Sequence, residues 1–329
     1  MSEQEPVREA VRAYAARQPD LRAATRAYVE LIQVLLDDAG IDYLSVTGRT
    51  KSVASFAEKA NRASDDQVLY PDPLEQITDQ IGVRVITYVH SDVAAVAELL
   101  DDELAILDDR DLGEEMARSG RFGYASRHLL VEVNPGSELP VLEGHRASVQ
   151  VRTVLQHALA EFEHDIRYKG NVPEDAAADL DRRFTLAAGL IELADREFAT
   201  IRENIQAAAA PGSQAGSEAD HILGQELATF LAGHYSDAGW SHTDHYDWIA
   251  GLLAQLGIDA IDELDDLLTS VDADAVIRRM GYRYPAGAVR RLDDALLAIF
   301  GEQYVTLDGN SHRVPLLRAR LEKLSTPET

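Results

Sequence analysis

Apolar positions divide the chain into a helical opening, an α/β middle and a helical remainder. Val7, Val11 and Tyr14, then Tyr28, Leu31, Ile32, Leu35 and Leu36, recur at helical spacing over residues 4–38. Gln18-Pro19-Asp20 breaks that stretch into two helices. After Ala39-Gly40 the period shortens. Runs at Tyr43–Val46, Val83–Val89, Leu104–Leu107, Leu129–Val133 and Ala147–Val151 predict about five strands, interleaved with helices near 52–63 and 92–100. Helix is predicted again over Thr153–Tyr168 and from about Glu174 to Ala210.

Residues 207–218, rich in Ala, Gly and Ser with one Pro, have the composition of a linker. Beyond them Leu223, Leu227, Phe230 and Leu231, then Ile249, Leu252, Leu253 and Leu256, then Leu292, Leu296 and Ile299 form further helical stripes. The expected fold class is α/β in the broad α+β sense: a mixed sheet of about five strands flanked by helices, with a mostly helical C-terminal domain. The expected divisions are N-terminal helices at 1–39, the sheet-bearing domain at 40–210, a linker at 211–218 and the helical domain at 219–329.

Charge and cysteine usage narrow the classes. The 329 residues carry 31 Lys+Arg against 57 Asp+Glu, a formal net charge of −26, and no cysteine. Disulfide scaffolds, thiolate metal centres and thiol catalysis are therefore excluded. So acidic a surface repels nucleic acid and anionic membrane, and a polyanionic ligand requires a local reversal of sign. No apolar run is long enough to cross a bilayer, and MSEQEPVREA has no basic-then-apolar leader pattern, so the cytoplasm is the expected compartment.

One such reversal lies between Tyr43 and Ser64, where Arg49, Lys51, Lys59 and Arg62 face a single acid, Glu58. Fixed guanidinium and ammonium groups suit the spread charge of a polyphosphate, although a solvated basic helix face would read the same way. Ser55 and Lys59 are one helical turn apart. Three further segments stand out. Asp79-Gln80-Ile81-Gly82-Val83-Arg84 flanks the start of an apolar strand with an acid and a base. Gly123-Tyr124-Ala125-Ser126-Arg127-His128 places a ring beside a glycine, suited to stacking or to core packing. Ser148, Gln150 and Arg152 alternate with Val149 and Val151, so the polar three share one strand face.

Taken together and in order, these segments resemble the synthetase domain of the RelA/SpoT family, which makes the alarmone (p)ppGpp. The resemblance spans about residues 40–170. It rests on Gly48, Arg49, Lys51, Ser55 and Lys59; on Asp79, Gly82 and Arg84; on Gly123, Tyr124, Ser126 and His128; and on Gln150 to Thr153 followed by Ala160 to His164. It implies transfer of the β,γ-diphosphate of Mg²⁺-ATP to the 3′-hydroxyl of GDP or GTP. By the same likeness Arg49, Lys51, Ser55, Lys59, Arg62 and Arg84 would hold ATP, and Asp79 would bind Mg²⁺. Tyr124 would stack on guanine with His128 nearby, and Gln150, Arg152, Glu163 and His164 would shape the acceptor pocket.

One departure bears on the chemistry. The family usually has Glu, as metal ligand or base, where this chain has Ser148. A serine hydroxyl carries no charge and cannot accept a proton as a carboxylate can, and loss of such a group typically costs about 10²–10⁴ in rate. Glu132, Glu143, Glu161 and Glu163 are the candidate replacements. Three readings follow: an active (p)ppGpp synthetase, a catalytically weakened nucleotide-binding regulator, or a pyrophosphokinase acting on the 3′ end of tRNA.

The remaining features carry less. About 40 residues precede the motifs, too few for the family's hydrolase domain, so no degradation activity is expected. His157, Glu161 and His164 share a helix face without a fourth metal ligand, and His234, His242 and His245 with Asp244 and Asp247 read as solvated loop residues. A second basic island, Ile277 to Arg291, holds five Arg, two Tyr and no acid. It could meet tRNA, but pairing with acidic segments such as 262–266 and 272–274 is the favoured expectation. No membrane partner is expected, while a homo-oligomer or self-regulation by the C-terminal domain is.

Overall fold

The computed structural model describes residues 4–64, 67–118, 126–135, 139–169, 174–208, 221–282, 284 and 286–325. They fall into two compact units, Met1–Leu35 with Tyr43–Glu197 and Leu36–Asp42 with Phe198–Thr329. The elements of the first, in chain order, begin with α1 (Gln4–Ala16), α2 (Gln18–Ala39), β1 (Ser45–Thr50), α3 (Val53–Ala60), β2 (Ala63–Ser64), β3 (Gln67–Val68) and α4 (Pro73–Gln76). They continue with β4 (Ile81–Thr87), α5 (His90–Glu103), β5 (Ala105–Asp111), α6 (Leu112–Arg118), β6 (Arg127–Glu132), β7 (Ala147–Thr153), α7 (Val154–Lys169) and α8 (Glu174–Ala208). The last turn of α2 clusters with the second unit, and the division in α8 falls after Glu197. The linker expected at 211–218 lies outside the described residues.

Five strands form one mixed sheet in the order β1-β4-β7-β6-β5, with β4 and β7 parallel and the other neighbours antiparallel. Strict alternation sorts its side chains. Val83, Val85, Leu129, Val131, Val149 and Val151 lie on one face, none more than 2% exposed, and α5 packs against β4, β6 and β7. Each such side chain contributes about 1.5–3 kcal/mol by leaving water. Thr47, Arg49, Gly82, Arg84, His128, Leu130, Ser148 and Gln150 occupy the other face, as the registers Thr47↔Arg84, Gly82↔Ser148, Arg84↔Gln150, His128↔Gln150 and Leu130↔Ser148 require.

The largest differences from the sequence reading are at two strands. Strand β1 starts at Ser45 and runs on through Gly48 and Arg49, so Arg49 lies on the strand itself. Strand β5 continues past Leu107 through Asp108, Asp109, Arg110 and Asp111. Apolar content ends at Leu107, but backbone pairing does not, and a charged, exposed edge strand protects the sheet from further pairing. Arg127 secures that edge with a bidentate bond to Asp109 at 2.9 and 2.7 Å.

Helix α2 buries Leu21, Ala24, Tyr28 and Ile32 on one stripe, and its approach to β1 depends on Gly48. A Cβ there would lie 2.6 Å from Val29 Cγ2 and 2.9 Å from Thr25 Cγ2. Gly48→Ala is expected to cost ~1–3 kcal/mol through overpacking, seen as a lower urea midpoint by far-UV circular dichroism.

The second unit is a helical cluster of α9 (Gly224–His234), α10 (Thr243–Gln255), α11 (Ile261–Thr269), α12 (Ala273–Met280), α13 (Ala288–Phe300), α14 (Glu302–Val305), the 3₁₀ turn Asp308–Asn310 and α15 (Val314–Ser325). Leu227, Leu231, Ile249, Leu252, Leu253, Leu264, Leu292, Leu296 and Leu317 are fully buried in it. So are charges. Asp293 and Asp294 on α13 are 2% and 0% exposed and meet Arg290, Arg313 and Arg320, while Asp38 from the last turn of α2 meets Arg290 and Arg320. Tyr282 and Tyr304 donate hydroxyl bonds to Asp294 and Asp293. Gly287 packs against the Gly40 carbonyl so closely that a Cβ would fall 1.9 Å from its oxygen.

The second basic island is thus engaged within its own unit, as favoured, but by other partners. Arg290 binds Asp38 and Asp294, Arg291 binds Asp237 at 2.8 Å, and Arg279 donates to the Leu324 carbonyl at 2.7 Å. Neither 262–266 nor 272–274 supplies a carboxylate to Arg290 or Arg291; Arg283 lies outside the described residues. His234 and His245 approach different carboxylates, Asp265 at 3.3 Å and Asp37 at 3.5 Å. Among the described residues no three His, Asp or Glu side chains gather as a metal cluster, and no helix is long and apolar enough to cross a membrane.

Candidate active site

The site is built where β1 hands the chain to α3. The Lys51 backbone is fixed from three directions: its N–H donates to the Gln80 carbonyl at 2.9 Å, and its carbonyl accepts from Tyr14 Oη at 2.7 Å and Gln18 Nε2 at 3.1 Å. Tyr14 is itself held by stacking on Phe56 of α3, ring centroids 3.9 Å apart. Ser52 caps α3 by accepting from the Ser55 N–H at 3.1 Å, which orients the first turn. Lys59, two turns into that sequence, then faces the same way as Lys51.

Both lysines converge on one carboxylate. Lys51 Nζ lies 2.8 Å from Asp79 Oδ2 and Lys59 Nζ lies 3.1 Å from Asp79 Oδ1. Burial alone would raise the Asp79 carboxyl, but the hydrogen bonds and charges of the two lysines outweigh it and hold it below the ordinary carboxylate range. Arg49 lies close by on the sheet face. A Cβ on Gly82 would stand 3.4 Å from Arg49 Cγ and 3.6 Å from its Nε, so the side chain crosses the bare glycine, whose β7 neighbour is Ser148.

Further along the face, Arg84 pairs with Glu161 of α7 at 2.7 Å. Arg152 is buried; its Nε donates to Ser126 Oγ at 3.2 Å and its Nη2 to Gln150 Oε1 at 2.5 Å. Burial, then the nearby Arg84, pushes its pKa down to about 10. His128 sits opposite Gln150, and burial, reinforced by the charge of Arg110, lowers its pKa, so the ring is neutral at physiological pH.

Three expected residues stand apart from this cluster. Arg62 is exposed and meets the helix neighbour Glu58 at 3.8 Å. Ser55 is exposed and bonds to Ser52. Glu163 leaves α7 roughly 200° round from Glu161, whereas His164, though exposed, shares the helix face of Glu161. Tyr124 lies outside the described residues. The sequence reading missed the roles of Tyr14, which fits a helical stripe, and of Gln18, which reads only as part of a helix break. It also missed that Asp79 and the two lysines form one group, since 28 and 20 residues separate them.

Asp79 suits Mg²⁺. That ion is commonly held by one or two carboxylates together with substrate phosphates and water. Phosphate oxygens entering between Lys51 and Lys59 would compete for both ammonium groups and release the Asp79 oxygens toward a cation.

Residues 48–172 match the family described as the region found in RelA / SpoT proteins. The chain is 34% identical over 176 residues to GTP pyrophosphokinase YjbM of Bacillus subtilis, covering 51% of this chain and 76% of that protein. It is 28% identical over 159 residues to GTP pyrophosphokinase YwaC of the same organism, covering 48% and 72%. The crystal structure of small alarmone synthetase 1 from Bacillus subtilis is similar over 59% of this chain and 98% of its own, with 25% identity and a TM-score of 0.46. A match of that extent and identity to YjbM, together with the family match over 48–172 that takes in Lys51, Asp79 and Arg84, establishes that the chain belongs to the RelA/SpoT family.

Proposed function

We propose that the protein synthesises (p)ppGpp, moving the β,γ-diphosphate of Mg²⁺-ATP to the 3′-hydroxyl of GDP or GTP. The carrying observation is the carboxylate clamped by two lysines, with Arg49 and Arg84 on the adjoining sheet face. Naming of both curated relatives as GTP pyrophosphokinases supports it. In the reaction the 3′-oxygen bonds to the β-phosphorus, the bond from that phosphorus to the α,β-bridging oxygen breaks, AMP leaves, and the hydroxyl proton is released. Such transfer needs chiefly positioning and charge offset. Lys51, Lys59, Arg49 and Arg84 supply the positive charge, from the loop before α3, from α3 and from strands β1 and β4, with the Lys51 backbone locked by Tyr14, Gln18 and Gln80. Mg²⁺, when bound, offsets phosphate charge; Asp79 would hold it. Gln150, Arg152 and His128 line the same face and would receive the acceptor nucleotide, with Tyr124 stacking on its base.

Ser148 favours one further reading, a weakened enzyme that binds nucleotide and regulates. The tRNA reading loses its expected anchor, because Arg290 and Arg291 are taken up by carboxylates of their own unit. Incubation of the full chain with labelled ATP and GDP or GTP is expected to yield labelled ppGpp or pppGpp with stoichiometric AMP. Nucleotide binding without product would instead establish the regulator, and label in tRNA would overturn both.

A further inference from the structure

The proposed synthesis leaves a chemical gap at Ser148, where a neutral hydroxyl occupies a position facing the Mg²⁺-nucleotide. We propose that Glu132, on the neighbouring strand, supplies the missing carboxylate and holds Mg²⁺ together with Asp79. This inference rests on the synthetase reading.

Strand register carries it. Leu130 of β6 pairs with Ser148 of β7, and Val131 with Ala147. Residues two apart share a sheet face, so Glu132 stands on the face of Ser148, one diagonal step away. Diagonal neighbours are about 7–8 Å apart at Cα, within reach of a long side chain. Glu132 also lies at the correct end of the sheet. Strands β4 and β7 run parallel from Ile81 and Ala147, Asp79 precedes Ile81 by two residues, and Glu132 closes β6 beside the start of β7. A strand position fixes the backbone of the ligand, as a metal site demands.

Its present restraint is weak. Arg146 Nε approaches Glu132 Oε2 at 3.8 Å, well beyond the ~2.7–2.9 Å of a charge-assisted hydrogen bond. The other acids are worse placed. Glu161 is committed to Arg84 at 2.7 Å. Glu163 leaves the opposite side of α7, and Glu143 is exposed in the turn before β7. Asp108 shares the face but pairs with Leu130 from the edge strand, one strand farther from Ser148 than β6.

The test uses the full chain as wild type, Glu132→Gln, Glu161→Gln, Ser148→Glu, and the double variant carrying both Glu132→Gln and Ser148→Glu. Mn²⁺ binding in the presence of a non-hydrolysable ATP analogue is followed by electron paramagnetic resonance, and synthesis is followed with labelled ATP. Glu132→Gln is expected to weaken Mn²⁺ binding by roughly 10–100-fold and to slow synthesis by about 10²-fold or more. The double variant is expected to recover both, because Ser148→Glu restores a carboxylate from the adjacent strand; this recovery also excludes misfolding as the cause. Unchanged Mn²⁺ affinity in Glu132→Gln, or loss confined to Glu161→Gln, overturns the inference. A wild-type protein that makes no alarmone overturns the synthetase reading alone, and the Mn²⁺ titration still decides the role of Glu132.

Discussion

Asp79→Asn is expected to lower the rate of alarmone synthesis by roughly 10²–10³-fold, the scale on which loss of one preorganised electrostatic group is felt. The same substitution should leave binding of a non-hydrolysable ATP analogue intact or tighten it. Asp79 now neutralises Lys51 and Lys59; without its charge both ammonium groups meet phosphate with no competitor, whereas the oxygen donor for the cation is lost. Separating the two effects takes a turnover measurement and a direct titration on one preparation. An unchanged rate would remove Asp79 from the chemistry, and lost nucleotide binding would mean that its role is to shape the lysine loop. The pair also sets an acid limit. The folded carboxyl is held below its unfolded value of about 3.9, so the contribution of the pair to stability is complete above that value. It disappears as pH falls through the lower, folded one. Acid inactivation above pH ~5 must therefore come from other groups.

Arg320→Met is expected to destabilise the second unit by about 3–5 kcal/mol, the cost of removing one partner from a buried ion group. Three arginines and three aspartates balance there. Arg290 reaches Asp294 at 2.7 Å, and Arg320 reaches Asp293 at 2.8 Å and also binds Asp38. Methionine fills similar space but leaves the three carboxylates Asp38, Asp293 and Asp294 with only Arg290 and Arg313 of their three arginines. Both tryptophans of the chain, Trp240 and Trp248, belong to this unit, so intrinsic tryptophan fluorescence during urea unfolding reports on it alone. A shift of less than ~1 kcal/mol would show the network to be no stronger than a surface ion pair. Its acid behaviour follows from Asp293. Burial would raise this carboxyl, but Arg313 and Arg320 bring it down to about 2. The stabilisation should be fully present above pH ~4 and decline as pH falls toward 2, giving an acid transition in tryptophan emission in that window.

Legibility in the sequence tracked the range of the interaction. Alternation of Val149 and Val151 with Ser148, Gln150 and Arg152 located both faces of the central strand, because the period of a strand is local. Charge reversal around Arg49 and Lys51 was visible for the same reason. Strand β5 was cut short because Asp108 to Asp111 carry no apolar signal, although their backbone pairs with β6. Long-range partners were invisible. Nothing near Lys51 names Asp79, and the arginines of the second island looked for acids in neighbouring helices while the fold delivered Asp38, Asp237 and Asp294. Tyr14 fits a helical stripe so well that its hydroxyl bond to Lys51 left no trace in composition.

The last turn of α2 gives the second unit a peculiar history. Asp38 and Arg290 are 252 residues apart, and at about 5–20 residues per second of synthesis Asp38 is added to the chain ~13–50 s before Arg290. Through that interval the Asp38 carboxylate has neither Arg290 nor Arg320 to pair with. A nascent chain stalled before residue 290 would therefore carry, at the end of α2, an aspartate without the two arginines that neutralise it in the finished protein.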